Sequence, residues 1–254
     1  SEDAKGNIQP QMVQSYTTAK DGKTWTFKLR AGLEFHDGKP VTSEDVAASL
    51  KRWASRDAMG GILFSFIDKI ETPDANTFRF ILKEPCAIVL DALGKASSNV
   101  PFIMPARIAA TPGTEQIKEH VGSGPYRFVP EEYKPGERLV YVKNDKYKPR
   151  AEAPDGTTGG KSVHVDRVEW VIIRDPQTQF NALVAGEVDI VEQPTFEQYS
   201  SLKAQKDIQI VDAQPAGLQF IFRFNHLHAP FNNPKIRQAA MVAMGQQAYI
   251  NTQV

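Results

Sequence analysis

The clearest alternation of apolar and polar positions runs through Thr24-Trp25-Thr26-Phe27-Lys28-Leu29-Arg30. Trp25, Phe27 and Leu29 recur at every second position, which predicts a half-buried strand. Asp21-Gly22 ahead of it marks a tight hairpin turn, and His36-Asp37-Gly38-Lys39-Pro40 a second turn. The period then lengthens. Val46, Leu50 and Trp53 fall on one helical face. Thr42 can cap that helix, with Asp45 three residues on in a box-like pattern. Gly60-Gly61 predicts a break in the chain soon after. Residues 76–82 alternate as a strand with Pro85 beyond its end, and residues 97–113 read as irregular, punctuated by Pro101, Pro105 and Pro112. Gly122-Ser123-Gly124 predicts a turn into a strand at Tyr126-Arg127-Phe128. A further strand spans residues 138–142, and residues 149–161 read as a mobile surface loop rich in Pro, Gly and Thr.

The second half has a different rhythm. Residues 168–173 predict a strand, and Asp175-Pro176 caps and starts a helix carrying Phe180, Leu183 and Val184, closed by Gly186. Short strands are predicted at 188–190 and 208–211, with a helix over 195–202 between them. A longer aromatic strand is predicted at 219–225, and Asn233-Pro234 opens a last helix that carries Met241 to Met244. Strand and helix alternate here, which predicts an α/β region. The first half reads as α+β. The shift places a domain boundary near residue 120, and the fold class is α/β in the mixed α+β sense.

Composition narrows the function. The 254 residues can bury a sizeable core, with 41% hydrophobic and 24% charged residues. Thirty basic residues balance thirty acidic ones, which gives no reason to expect nucleic acid or an anionic membrane as partner. Cys86 is the one cysteine, so no internal disulfide forms, and the count does not fix the compartment. No apolar run reaches the length of a membrane span. The polar opening, Ser1-Glu2-Asp3, shows no signal peptide, and the abrupt end past Gly245 predicts a chain cut from a longer one.

Candidate chemistry is sparse. Ser123 lacks the frame of a nucleophile elbow, and no phosphate loop or dinucleotide fingerprint occurs. His226 and His228 alternate as a metal pair would, yet a firm site needs three or four ligands, so no metal is assigned. Glu44-Asp45 and Glu131-Glu132 are paired carboxylates in positions that favour structural roles. In the segment from Phe220 to Asn225, Phe220, Phe222 and Phe224 share one strand face. Core packing explains them; a pocket wall, with Asn225 as a placed polar group, is the alternative.

Four segments together resemble the family 5 bacterial extracellular solute-binding proteins, the dipeptide and oligopeptide-binding group. The first runs from Asp21 through the His36-Asp37-Gly38 turn into Pro40-Val41-Thr42-Ser43-Glu44-Asp45-Val46. The others are Gly122-Ser123-Gly124-Pro125-Tyr126-Arg127-Phe128, the stretch from Asn181 to Ile190, and Phe224-Asn225 followed by the stretch from Pro230 to Ala239. The resemblance implies a periplasmic binding protein of type II-like fold, here mainly its first lobe. Residues 1–120 would be a peripheral subdomain and 121–230 the sheet-bearing part of that lobe. Residues 231–254 would be the hinge and the start of a second, truncated lobe. It implies a non-catalytic component of an ABC importer that captures a peptide or similar small solute between two lobes and needs no cofactor. Its partners would be the permease subunits, and its place periplasmic or extracytoplasmic, with a lipid anchor as one option. Within the same fold, nickel, haem, an opine or an oligosaccharide is the alternative cargo; a hydrolase is the alternative of another class, with no catalytic set found. By the same resemblance, the loops at Met59-Gly60 and Ser97-Ser98-Asn99 line the cleft, and Phe222 and Asn225 lead toward it.

Overall fold

The computed structural model describes residues 1–96, 98–213, 217 and 221–253. They form two compact units, Ser1–Val171 and Ile172–Val254.

In the first unit, β1 (Val13–Thr18) and β2 (Thr24–Leu29) form the hairpin predicted at Asp21-Gly22. Gly22 has φ +69°, a conformation that glycine adopts without a Cβ penalty. Helix α1 (Ser43–Ala54) carries the full reciprocal cap: Asp45 N–H donates to Thr42 Oγ1, and Thr42 N–H donates to Asp45 Oδ2 at 2.8 Å. Helix α2 (Ala58–Phe66) follows, then β3 (Ile67–Asp74) and β4 (Thr77–Leu82). The sheet runs β1-β2-β4-β3 and is antiparallel throughout.

One face of this sheet makes the core. Phe27 lies opposite Phe78 in register, their rings stacked at 4.8 Å, and Phe80 meets Phe27 edge-on at 5.5 Å. Each such aromatic pair contributes about 0.5–1.5 kcal/mol beyond area burial. Val46, Leu50 and Trp53 of α1 are buried in the same cluster, as the sequence predicts. The buried serines of α1 have partners. Ser43 N–H donates to Ala75 O at 2.8 Å, fixing the helix start to the β3–β4 turn. Ser49 Oγ donates to Met104 O and accepts from Met104 N–H, both at 3.0 Å.

Two predictions in this part of the unit need correction. Gly60-Gly61 does not break the chain; both glycines lie inside α2, which Asp57 caps through Gly60 N–H at 2.8 Å. The segment 97–113 contains α4 (Ala106–Ala109), preceded by α3 (Val89–Gly94).

A second antiparallel sheet orders β5 (Tyr126–Phe128), β6 (Arg138–Lys143) and β7 (Arg167–Val171) as β5-β6-β7. The connection at 149–161 is pinned rather than loose. Glu2 N–H donates to Thr157 Oγ1 and Ala4 N–H to Asp155 Oδ1, both at 2.9 Å, and Thr158 is buried.

The second unit holds α5 (Pro176–Val184), α6 (Phe196–Lys203), α7 (Pro234–Ala243) and α8 (Gln246–Gln253). Asp175 caps α5 by accepting from Thr178 N–H at 2.7 Å, and Asn233 caps α7 by accepting from Lys235 N–H at 2.9 Å. The strands predicted at 188–190 and 208–211 do not form, nor does a strand over 221–225; residues 219 and 220 of that prediction lie outside the described residues. Period-two patterning makes a segment compatible with a strand, but a strand exists only when a neighbour pairs with it. Among the described residues of this unit, no segment does.

Candidate functional site

Four of the predicted site residues converge where α1 ends and α2 begins. Trp53, on the last turn of α1, donates its indole N–H to Asn99 O. The same ring packs on Gly60 so closely that a Cβ there would stand 3.0 Å from Trp53 Cζ3 and from Ala54 Cα. The Asp57 carboxylate accepts from Gly60 N–H through Oδ1 and from Lys95 Nζ through Oδ2 at 2.6 Å. Burial raises the pKa of this carboxyl, but the Lys95 contact and the Gly60 hydrogen bond outweigh it and leave it below the usual carboxylate range. Met59 is half-buried against the sheet core. Ser98 and Asn99 stand at φ +40° and +47°, left-handed conformations that cost non-glycine residues about 1–3 kcal/mol each and persist only where neighbours enforce them. Trp53 holds Asn99 O through its indole N–H, and the Lys95–Asp57 pair tethers the chain three residues before Ser98. Ser97 lies outside the described residues.

Phe222 and Asn225 belong to the second unit. Phe222 is 65% exposed; its ring lies 5.1 Å from that of Phe224, which in turn packs on Phe231 at 4.8 Å. Asn225 Oδ1 accepts from Leu227 N–H at 3.1 Å, closing a local turn.

Sequence reasoning missed a cavity of about 990 Å³ in the first unit. Phe27, Leu50, Phe78, Leu90 and Ile103 supply apolar lining, and Tyr126, Phe128 and Tyr141 contribute from the second sheet. Its residues are drawn from positions between Ser1 and Lys161, so no local pattern marks it. None of the six predicted site residues lines it, although Lys95 and Val100, on either side of the 98–99 turn, do.

Inside it, His36 is not free to serve Ser123 as a base. Ser123 and His36 both line the cavity, but both imidazole nitrogens are engaged by backbone. Gly122 N–H donates to Nδ1 at 3.3 Å, which places the ring proton on Nε2, donating to Gly124 O at 3.0 Å. Neither nitrogen is left to act as base on Ser123. One carboxylate of each acidic pair has a structural partner as well. Asp45 caps α1 and accepts from Ala106 N–H at 2.7 Å, and Glu132 holds Arg167 bidentately at 2.9 and 2.6 Å. Among the described residues, no group of three or more His, Cys, Asp or Glu is gathered to hold a metal ion. No helix is long and apolar enough to cross a membrane among them.

Known proteins give this geometry a context. A probable peptide ABC transporter periplasmic-binding protein of Sinorhizobium fredii is 40% identical over 252 residues, 98% of this chain and 47% of that protein. A glutathione-binding protein of Pectobacterium atrosepticum is 31% identical over 94% of this chain and 44% of its own length. Among solved structures, a periplasmic binding protein from Helicobacter pylori in complex with the peptide STSA superposes with a TM-score of 0.74 at 26% identity, covering 97% of this chain and 50% of that one. A binding protein from Agrobacterium tumefaciens R10 in complex with agropinic acid superposes with a TM-score of 0.61 at 30% identity, covering 79% of this chain and 38% of that one. The chain thus spans about half the length of the relatives it matches. The sequence profile described as Bacterial extracellular solute-binding proteins, family 5 Middle, matches residues 7–253, and the chain belongs to that family.

Proposed function

We propose that this chain is part of the solute-binding component of an ABC importer, non-catalytic, working in the periplasm with permease subunits and capturing a peptide. The observation that carries this reading is the family match across residues 7–253, together with 40% identity to a peptide transporter's binding protein. In this reading, residues 1–120 are a peripheral subdomain, 121–230 the sheet-bearing part of a first lobe, and 231–254 the hinge and the start of a second. The corner formed by Met59, Gly60, Ser98 and Asn99 then faces the cleft. Its latch of Trp53 and Asp57–Lys95 supports that role, because ligand contacts are most selective when their backbone is held before the ligand arrives. Phe222 and Asn225, in the second unit, are the remaining solute contacts in this reading. Ligand would bind the closed arrangement better than the open one and shift the population toward closure, which the permease reads.

The test is a thermal-shift panel on a full-length version carrying the remaining half: di- to pentapeptides, glutathione, and opines such as agropinic acid. A shift with peptides supports the reading. A shift with opines alone would replace the cargo, a second reading that the 30% identity to the agropinic acid-binding protein favours. Turnover of any panel member would overturn the non-catalytic assignment.

A further inference from the structure

One stretch of the cavity wall is a strap with few fastenings. Ile117, His120, Val121 and Gly122 line the space. Yet residues 116–121 lie in no helix or strand and make no backbone hydrogen bond among the described residues. Arg52 Nη2 fastens the near end by donating to Glu115 O at 2.7 Å. Midway, Arg107 of α4 pairs with Glu119 at 2.5 Å and with Asp37 at 3.2 Å. The far end depends on His36. Its backbone N–H donates to Gly122 O at 2.8 Å, and its ring Nδ1 accepts from Gly122 N–H at 3.3 Å. Between these points Val121 packs on the sheet core, and the His120 ring meets Phe128 edge-on at 5.3 Å.

The two ring nitrogens of His36 respond differently to a proton. Nε2 already donates to Gly124 O, which also accepts from Asn144 Nδ2 at 3.0 Å, and an imidazolium keeps that bond. Nδ1 is an acceptor, and protonation turns it into a second donor aimed at the Gly122 N–H. We propose that His36 is an acid-operated catch: its protonation releases Gly122, and residues 120–122 come away from the cavity wall while Gly124 stays in place. The surroundings set the direction. Burial lowers the His36 pKa; the bond to Gly124 O opposes it, Arg127 of β5 lowers it further and Asp37 raises it. The carboxylates of this turn already hold cations, Asp37 that of Arg107 and Glu34 that of Lys146 at 3.1 Å. The closed strap therefore keeps the ring neutral below pH 6.5, where a released His36 takes the proton. Burial raises the Asp37 pKa, but the Lys39 N–H and Arg107 outweigh it and hold it below 3.8. The Arg107 bridges thus outlast the catch as pH falls, and the strap turns on Glu119. The device lies wholly within the first unit and does not depend on the importer reading.

Amide exchange and NMR titration of residues 1–254 between pH 7.5 and 5 test it. The His36 ring is expected to titrate below 6.5, and the Gly122 amide shift to follow the same midpoint. Gly122 protection, corrected for the intrinsic rate, should fall by up to about tenfold per pH unit below 6.5. That exchange should be insensitive to low urea, the sign of a local opening, whereas exchange at Phe27 in the sheet interior rises with urea. His36→Asn keeps an acceptor in the place of Nδ1 but does not titrate in this range, and should hold Gly122 protection constant. His120→Gln removes the histidine on the strap itself and should leave the pH dependence as it was. If His36→Asn does not fold, the titration of the natural chain and the urea dependence decide. A His36 midpoint at or above 6.5, a Gly122 amide that does not follow it, or Gly122 exchange that rises with urea in parallel with Phe27 would each overturn the assignment. So would a pH dependence that survives in His36→Asn or vanishes in His120→Gln.

Discussion

His36 Nδ1 accepts a hydrogen bond from the backbone N–H of Gly122, 86 residues further along the chain, and His36 N–H donates back to Gly122 O at 2.8 Å. Two of the segments that resemble the family are thereby clasped to each other. Burial, and after it the charge of Arg127, lower the His36 pKa from its ordinary 6.5 against the opposing pull of Gly124 O and Asp37. The folded state therefore prefers the neutral ring. Above pH 6.5 both folded and unfolded states are neutral and the full stability is present. As pH falls below that value the unfolded chain takes up the proton first. Stability then declines, by at most about 1.4 kcal/mol per pH unit, until the folded pKa is passed. His36→Gln should flatten this part of the curve in urea melts recorded from pH 7.5 to 5, with the titration of His36 followed by NMR.

Gly60→Ala should destabilise the protein although it lies in a helix. Alanine gains about 1 kcal/mol in helix propensity. The new methyl, however, meets Trp53 and Ala54 at 3.0 Å, and crowding of that kind costs about 1–3 kcal/mol. A drop in the urea midpoint checks it; a rise would mean that Trp53 yields freely.

Asp57→Ala removes a helix cap and leaves Lys95 without its partner, an expected loss of about 2–4 kcal/mol. Trp53→Phe should cost less globally but should release the left-handed pair Ser98-Asn99. Hydrogen exchange at residues 95–100 should rise in both variants. Unchanged exchange would show that this turn holds itself.

Short peptides should bind residues 1–254 alone only weakly, because the proposed clamp needs two lobes and the chain spans about half of its relatives' length. Micromolar affinity by calorimetry would defeat that expectation.

The second unit exposes Leu227 at 87%, Val242 at 88%, Ile190 at 82% and Ile221 at 73%. Exposed apolar side chains of this size favour association. Sedimentation of residues 1–254 should show concentration-dependent self-association that Leu227→Ser with Val242→Ser reduces.

Much of the first unit was legible in the sequence because its signals are local. The Thr42–Asp45 cap, the Val46–Leu50–Trp53 face and the Asp21-Gly22 turn each lie within about a dozen residues, and each forms as predicted. Gly60 misled because its lack of a side chain serves a tertiary contact with Trp53 rather than a turn. In the second unit the alternation at 208–211 and 221–225 was real, but a strand is a property of a pair, and pairing is not written in one segment. The cavity was illegible for a similar reason: Arg30, Lys95 and Lys161 are remote in sequence, and only the fold makes them neighbours of one space.

The link between Glu2 and Thr157 spans 155 residues. On a ribosome adding about 5–20 residues per second, that bond waits roughly 8–30 s after Glu2 is made. The antiparallel sheet from Val13 to Leu82 can pair long before then. Residues 1–9 already hold one another through local bonds such as Asp3 N–H to Asn7 O at 3.0 Å, so the Glu2–Thr157 link adds a late, long-range closure to a turn that can form without it.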